Sequence, residues 1–162
     1  MSLRLERVDA KLLRLTGLNP VLANVLEYLP QILAQRDAPE AQRRLFPPPS
    51  NQRGLNEEWE NYVTPELRHL FASAAETVAR DLTGLERDPQ NKHLSRLSFP
   101  AAHTDAWMNA LNQARLILAA RYDVDEAAMD RQDLDPEQPK DVAIFRIHVF
   151  GYILQLFVET AA

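Results

Sequence analysis

The sequence predicts a mainly α-helical protein, an irregular bundle of about four helices with a small N-terminal β-hairpin appendage. Apolar residues recur at helical spacing over several long segments, and three of these segments begin near a proline, which is favoured in the first turn of a helix. Near the N-terminus, by contrast, leucines alternate with polar residues, as they do in a short half-buried strand.

The first elements are predicted from short local patterns. Alternating leucines between Leu3 and Thr16 indicate two short strands. Asn19 and Pro20 form a strong helix start, and Pro30 should kink or split this helix near Leu29 because it removes a backbone donor.

Residues 38–55 are the least ordered stretch by composition. A short helical turn is expected near 39–45, and the prolines at 47–49 then favour a stiff polyproline connector over a ligand for a proline-binding domain. The second long helix begins at Thr64-Pro65-Glu66 and ends at Gly84. Residues 85–92 are expected to form a loop and residues 93–99 a weak strand.

The C-terminal half is predicted to contain two more long helices. One runs from Pro100 to about Tyr122 and is followed by an acidic connector at 123–141, with a helical turn near 127–129. The other runs from about Asp141 to Thr160 and is apolar on nearly all sides. A helix of this kind belongs in the centre of a bundle or in a subunit interface.

Composition restricts the class of protein. The 162 residues are predicted to form a single domain over 1–162, with ordinary globular proportions of 46% apolar and 25% charged residues. The absence of cysteine excludes disulfides, thiolate metal ligands and cysteine redox switches. With no signal-peptide pattern we expect a cytoplasmic protein. The most apolar run, at 142–158, contains Arg146 and His148, so we expect no membrane contact.

Charge is distributed unevenly along the chain. Residues 1–50 carry seven basic residues against five acidic ones, whereas residues 101–162 carry five against ten. The net charge of −5 is unfavourable for nonspecific nucleic-acid binding, which usually requires a basic excess. The candidate nucleic-acid contacts are the basic residues of the first third, namely Arg4, Arg7, Lys11, Arg14, Arg36, Arg43 and Arg44.

No pattern predicts a catalytic site, and we predict no cofactor and no metal. Of the four histidines only His103 has a ligand-type neighbour, Asp105, and residues two apart on a helix point to different faces. The acidic run after Asp123 lacks the central glycine and the spacing of a calcium loop. A further cluster of carboxylates, which the sequence does not assign to a cleft, comprises Glu57, Glu58 and Glu60.

Arg146 is the unusual residue of the last helix, because it lies among apolar residues and away from the stripe that contains Asp141 and Gln155. A buried guanidinium needs an acceptor or solvent. We interpret it as a buried ion pair or as a side chain that reaches solvent, with an interface role as the alternative. The candidate interface residues are Arg146, His148, Phe150, Tyr152 and Phe157.

The segments Ala106-Trp107, Leu111-Asn112, Arg115-Leu116 and Val124-Asp125-Glu126 resemble an uncharacterised bacterial domain family, widespread in actinobacteria and often encoded beside the ClpS protease adaptor. Some members are described as AosR-type oxidative-stress transcription regulators. The opening strands, the segment Arg43-Arg44-Leu45-Phe46-Pro47 and the closing apolar helix also have counterparts, so the resemblance covers most of the chain. It implies three family-typical positions without a known role, Trp107, Asn112 and Arg115.

Three hypotheses about function follow. The first is a non-catalytic regulatory or adaptor module that acts through contacts with a protein partner, as a homodimer. The second is a DNA-binding transcription regulator of the AosR type, without cysteine redox sensing because the chain has no cysteine. The third is a metal-dependent enzyme. The first is preferred, because the last helix is apolar on nearly all sides and no catalytic pattern is present.

Overall fold

The computed structural model describes residues 2–49 and 52–161, the side chain of residue 161 excepted. Within these residues four strands form one antiparallel sheet in the order β1-β2-β4-β3, so that β2 and β4 are the central strands. The strands are β1 (Arg4–Arg7), β2 (Leu12–Leu18), β3 (Glu86–Asp88) and β4 (Asn91–Pro100).

The predicted fold class is wrong, because the protein is a mixed α/β structure with 61% helix and 15% strand. β2 pairs with β1 on one side and with β4 on the other, where Leu13 lies opposite Phe99 and Leu15 opposite Leu97. All four of these side chains are buried. A two-stranded hairpin alone is marginally stable in water, so the N-terminal strands need β4 and are half of a core sheet rather than an appendage.

The β3–β4 hairpin replaces the predicted loop at 85–92. β3 contains only charged residues, so it lacks the apolar alternation that indicates a strand. Its turn is held by side chains: the carboxylate of Asp88 accepts a hydrogen bond from the backbone N–H of Gln90, and Asn91 accepts one from His93. The two strands also share an ion pair of 2.8 Å between Arg96 and Glu86.

The helices between β2 and β3 begin largely as the sequence predicts. The side-chain oxygen of Asn19 accepts a hydrogen bond of 2.9 Å from the backbone N–H of Leu22, and the helix divides at Tyr28, just before Pro30. One helix was not predicted, because Gly54 and an absence of buried residues hide its pattern. The helices are α1 (Pro20–Glu27), α2 (Leu29–Leu33), α3 (Pro39–Leu45), α4 (Arg53–Tyr62) and α5 (Thr64–Leu82).

Three more helices complete the described chain: α6 (Thr104–Arg121), α7 (Glu126–Met129) and α8 (Pro139–Ala161). The inner face of the sheet packs against α6 and α8. Phe99 of β4 stacks on Trp107 of α6 with ring centroids 5.0 Å apart and lies 5.8 Å from Phe157 of α8. The core therefore includes the sheet, α6 and α8, and it continues where α2, α3 and α5 pack against α6.

Gly17 marks an irregularity in β2, where the register with β4 shifts between Leu15 and Leu18. Its φ of +82° is a conformation that side-chain-bearing residues rarely adopt. A Cβ atom at this position would also collide with the backbone carbonyl oxygen of Ser2. Glycine is therefore required here both by the backbone and by the close approach of the N-terminal segment.

Candidate protein-interaction surface

One side of α8 belongs to the core, and this side includes two of the predicted interface residues. Phe150 and Phe157 are buried, so they cannot form a contact surface while the helix is packed as it is. Over Pro139–Thr160 α8 is also long and apolar enough to cross a membrane by length and composition, and 44% of the most apolar window is buried within the protein. The core helix of a soluble protein meets the same criterion.

The other side of α8 faces outward and carries large apolar side chains. Phe145 is 38% exposed, Tyr152 is 52% exposed and Val158 is 48% exposed. His148 and Gln155 are exposed between them. We call these five residues the α8 ridge. The ring Nε2 of His148 donates a hydrogen bond of 3.0 Å to the backbone carbonyl of Met129, which fixes the ring against α7.

A groove of about 580 Å³ runs beside the α8 ridge, and Arg115 of α6 forms part of its wall. The Arg115 side chain crosses α8 at Gly151, where a Cβ atom would lie 3.5 Å from the arginine Nε. This Nε atom is buried and has no hydrogen-bond partner in the described part of the chain. Arg115 is thereby brought beside His148 and Tyr152, a neighbourhood that sequence spacing did not reveal.

Arg146 lies on a different side of α8, toward α1. Its guanidinium carbon is 4.3 Å from the ring centroid of Tyr28, a cation–π contact rather than the ion pair that was one of the two expected arrangements. The side chain is half-buried and forms no ion pair with any residue that the structure describes. It borders a cavity of about 360 Å³ between α1 and α8.

Asp141 fixes the acidic connector to the start of α8. Its carboxylate is nearly buried and accepts two hydrogen bonds from the Arg131 guanidinium, at 2.8 and 3.0 Å, and one of 2.9 Å from the backbone N–H of Asp135. The Asp135 N–H and then Arg131 lower the pKa of Asp141 below its usual range, and the carboxylate in turn raises the pKa of Arg131. The sequence placed Asp141 in a polar stripe and gave no indication of this clamp.

His103 contacts a carboxylate on another helix and not its sequence neighbour Asp105. His103 Nδ1 donates a hydrogen bond to Asp81 Oδ2, and the same oxygen accepts a bond from Trp107 Nε1, each 2.9 Å long. Asp105 is exposed in the first turn of α6. Among residues 2–49 and 52–161, no three or more potential ligand side chains are grouped to hold a metal. Trp107 is fully buried, so its family-typical position is a core position, whereas Asn112 is exposed.

The three carboxylates that the sequence did not assign to a cleft all lie on α4 and are exposed, and Glu60 borders a cavity of about 700 Å³ between α3, α4 and the start of α5. One of them, Glu57, forms an ion pair of 3.3 Å with Arg53 one helical turn earlier. This pair is strongly solvated, so it contributes little stability.

The candidate nucleic-acid contacts lie on separate elements. On the N-terminal hairpin, Arg4 is 3.5 Å from Glu6, and Arg14 donates a hydrogen bond to Ser98. Arg7 donates one to the carbonyl of Ala10 at 3.4 Å, and Lys11 is exposed at the same turn. The remaining basic residues are near α3. Arg43 and Arg44 lie on this helix and are exposed, whereas Arg36 precedes it and is half-buried.

These features define the class of protein: a small α/β structure whose last helix exposes an outward ridge beside a groove, with an arginine at the groove that forms no ion pair within the described part of the chain. The chain belongs to the family described as a domain of unknown function, DUF2017, whose model matches residues 2–161. This confirms the resemblance to an uncharacterised domain family. Comparison with curated proteins and with solved structures found no match.

Proposed function

We propose that this protein is a non-catalytic regulatory or adaptor module of the cytoplasm that acts through protein contacts, and that a second copy of the chain docks on the α8 ridge. The observation that carries the proposal is the exposure of Phe145, Tyr152 and Val158 on a helix whose opposite side is buried. Exposed apolar side chains that cluster on one face are typical of protein–protein contact sites.

The spacing of the α8 ridge suits a two-fold contact between identical chains. If two α8 helices pair antiparallel about a centre between Gly151 and Tyr152, residues equally distant from that centre face each other. Phe145 then faces Val158 of the second copy, and His148 faces Gln155. Successive residues of a helix are about 100° apart around its axis, so the two members of each facing pair lie at equal angles on either side of a single line along α8. Both copies therefore present the same face of α8 to each other.

The groove beside the ridge favours the same contact. The Arg115 side chain is half-buried, borders the groove and forms no ion pair with any described residue. A second copy that supplies a carbonyl or carboxylate oxygen to the outer nitrogens of this guanidinium gains a charge-assisted hydrogen bond, worth about 1.5–3 kcal/mol.

The experiment is sedimentation velocity over a roughly hundredfold range of protein concentration, because dimer formation depends on concentration. We expect the native chain to dimerise and Tyr152→Glu to remain monomeric, since the new charge lies at the centre of the contact. Leu70→Glu is the matched control: Leu70 is 53% exposed but lies on α5, so this variant should dimerise normally. A native chain that is monomeric throughout, or equal effects of both variants, would contradict the proposed contact.

A DNA-binding regulator of the AosR type is the second candidate. The observation in its favour is the exposed pair Arg43 and Arg44 on α3. Each phosphate contact should steepen the decrease of log affinity with log salt by about 0.9. We therefore expect the double variant Arg43→Gln, Arg44→Gln to flatten that slope, with Arg121→Gln on α6 as the control. Binding that is absent at low salt, or unaffected by salt, excludes this candidate.

A further inference from the structure

The cavity between α1 and α8 has the character of a small-molecule site. Its volume of about 360 Å³ lies within the range of about 300–1,000 Å³ that such sites occupy. The apolar part of the wall comes from α1, from the connector before α8 and from the first turns of α8 itself. These apolar residues are Val21, Val25, Leu134, Pro136, Val142 and Phe145.

Four polar side chains border the cavity, and two of them are negative. Asp141 is neutralised by its two hydrogen bonds to Arg131. Asp135 is exposed, and its carboxylate accepts a hydrogen bond of 2.9 Å from the backbone N–H of Glu137. The others are Asn24, which is exposed, and Arg146. Arg146 is therefore the cation at this cavity that lacks an ion-pair partner among the described residues.

The contact with Tyr28 holds the Arg146 guanidinium in an orientation in which it can bind a ligand. The guanidinium lies over the aromatic ring at 4.3 Å, so one face of its plane is supported while the N–H groups at its edge form no hydrogen bond within the described chain. The guanidinium edge matches a carboxylate, which accepts two parallel hydrogen bonds from it. A supported guanidinium also loses less rotational freedom when it binds.

We propose that this cavity binds a small amphipathic carboxylic acid, with its apolar body against α1 and α8 and its carboxylate on Arg146. The inference rests on two features of this cavity: its wall is mostly apolar, and Arg146 is a cation with no ion-pair partner among the described residues. The site goes beyond the proposed dimer contact. It shares Phe145 with the α8 ridge, but Tyr152 and the Arg115 groove are not part of it.

The probes are decanoate and 1-decanol, which have the same chain length and differ in charge, measured by titration calorimetry. We expect decanoate to bind one molecule per chain, about 10–100-fold more tightly than decanol, as charge-assisted hydrogen bonds to a guanidinium allow. Arg146→Met should remove this preference and leave decanol binding unchanged. Arg146→Lys should retain part of it, because the charge remains while the two-pronged geometry is lost.

Arg121→Met is the matched control, because Arg121 also lies over a tyrosine ring, that of Tyr122 at 5.6 Å, but does not border the cavity. It should bind both probes like the native chain. Asp135→Asn should strengthen decanoate binding, since it removes a negative charge near the carboxylate. Repeating the titration with the Tyr152→Glu variant separates this site from the dimer contact, because the cavity should still bind decanoate there.

Two results would overturn the proposal. One is equal affinity of the native chain for decanoate and decanol, which would mean that Arg146 recognises no carboxylate. The other is an Arg146→Met variant that retains the preference for decanoate while its circular dichroism spectrum matches the native one.

Discussion

Replacement of Asp81 by alanine should destabilise the protein strongly, although Asp81 contacts neither the ridge nor the cavity. One oxygen of this carboxylate accepts hydrogen bonds from both Trp107 Nε1 and His103 Nδ1. Trp107 is fully buried, so the variant leaves its indole N–H without an acceptor, at a cost of about 1–3 kcal/mol. His103 is partly exposed, and water replaces its lost bond at a cost of about 1 kcal/mol.

The total loss for Asp81→Ala is thus about 2–4 kcal/mol in the free energy of unfolding, which lowers Tm by roughly 5–15 °C in a protein of this size. Asp81→Asn should cost clearly less, because its amide oxygen can take the place of Oδ2 and accept both bonds. Thermal unfolding followed by circular dichroism at neutral pH measures all variants.

Asp105→Ala is the control, because Asp105 is exposed, forms no ion pair with any residue that the structure describes, and lies in the first turn of α6, where an acidic side chain contributes about 0.3–1 kcal/mol. If Asp81→Ala and Asp105→Ala lower Tm equally, or if Asp81→Asn is as harmful as Asp81→Ala, the acceptor role of Asp81 is refuted.

Two further predictions concern the connector and the sheet. Asp141→Asn should lower the free energy of unfolding at neutral pH, but the variant should lose less stability on acidification than the native protein. The pKa of Asp141 is lowered in the folded state, so the stability that this carboxylate contributes is present above about pH 4 and disappears as the pH falls through the lowered pKa. Denaturant titrations between about pH 6 and 3 test this, and parallel pH curves for the two proteins would contradict it. Gly17→Ala should lower the free energy of unfolding by at least about 2 kcal/mol, because the strain of a positive φ and the collision with the Ser2 carbonyl both destabilise the folded state. Gly54→Ala, which meets no atom within 4 Å, should be neutral or stabilising, and equal losses would count against this reasoning.

Helices with strong caps and periodic apolar faces could be predicted from the sequence, and the partners of strands could not. The start of α1 at Asn19-Pro20 and the division before Pro30 follow from local chemistry. The pairing of β2 with β4 depends on contacts between segments that are distant in sequence. No local pattern indicates that β4 pairs with both β2 and β3. For this reason the sequence predicts an appendage where the structure has half of a core sheet.

The candidate surface overlaps only in part with the residues that the sequence predicts. The sequence predicts an interface on α8, and the resemblance gives Arg115 as a family-typical position without a role, but a helix that is apolar on nearly all sides does not reveal which side faces inward. Buried Phe150 and exposed Tyr152 were therefore grouped together. Similarly, Asp81 lies 22 positions before His103, and only the packing of α5 against α6 brings the two side chains together.

The central position of β2 has a consequence for biosynthesis. One edge of β2 is paired with β4, which is separated from it along the chain by all of α1–α5 and β3. Translation at about 5–20 residues per second leaves the β2 edge without that neighbour for roughly 4–16 seconds. During this interval the nascent chain presents an open strand edge with apolar residues, the type of surface on which chains aggregate. Chaperone dependence of newly made protein should therefore be greatest before residue 100 leaves the ribosome.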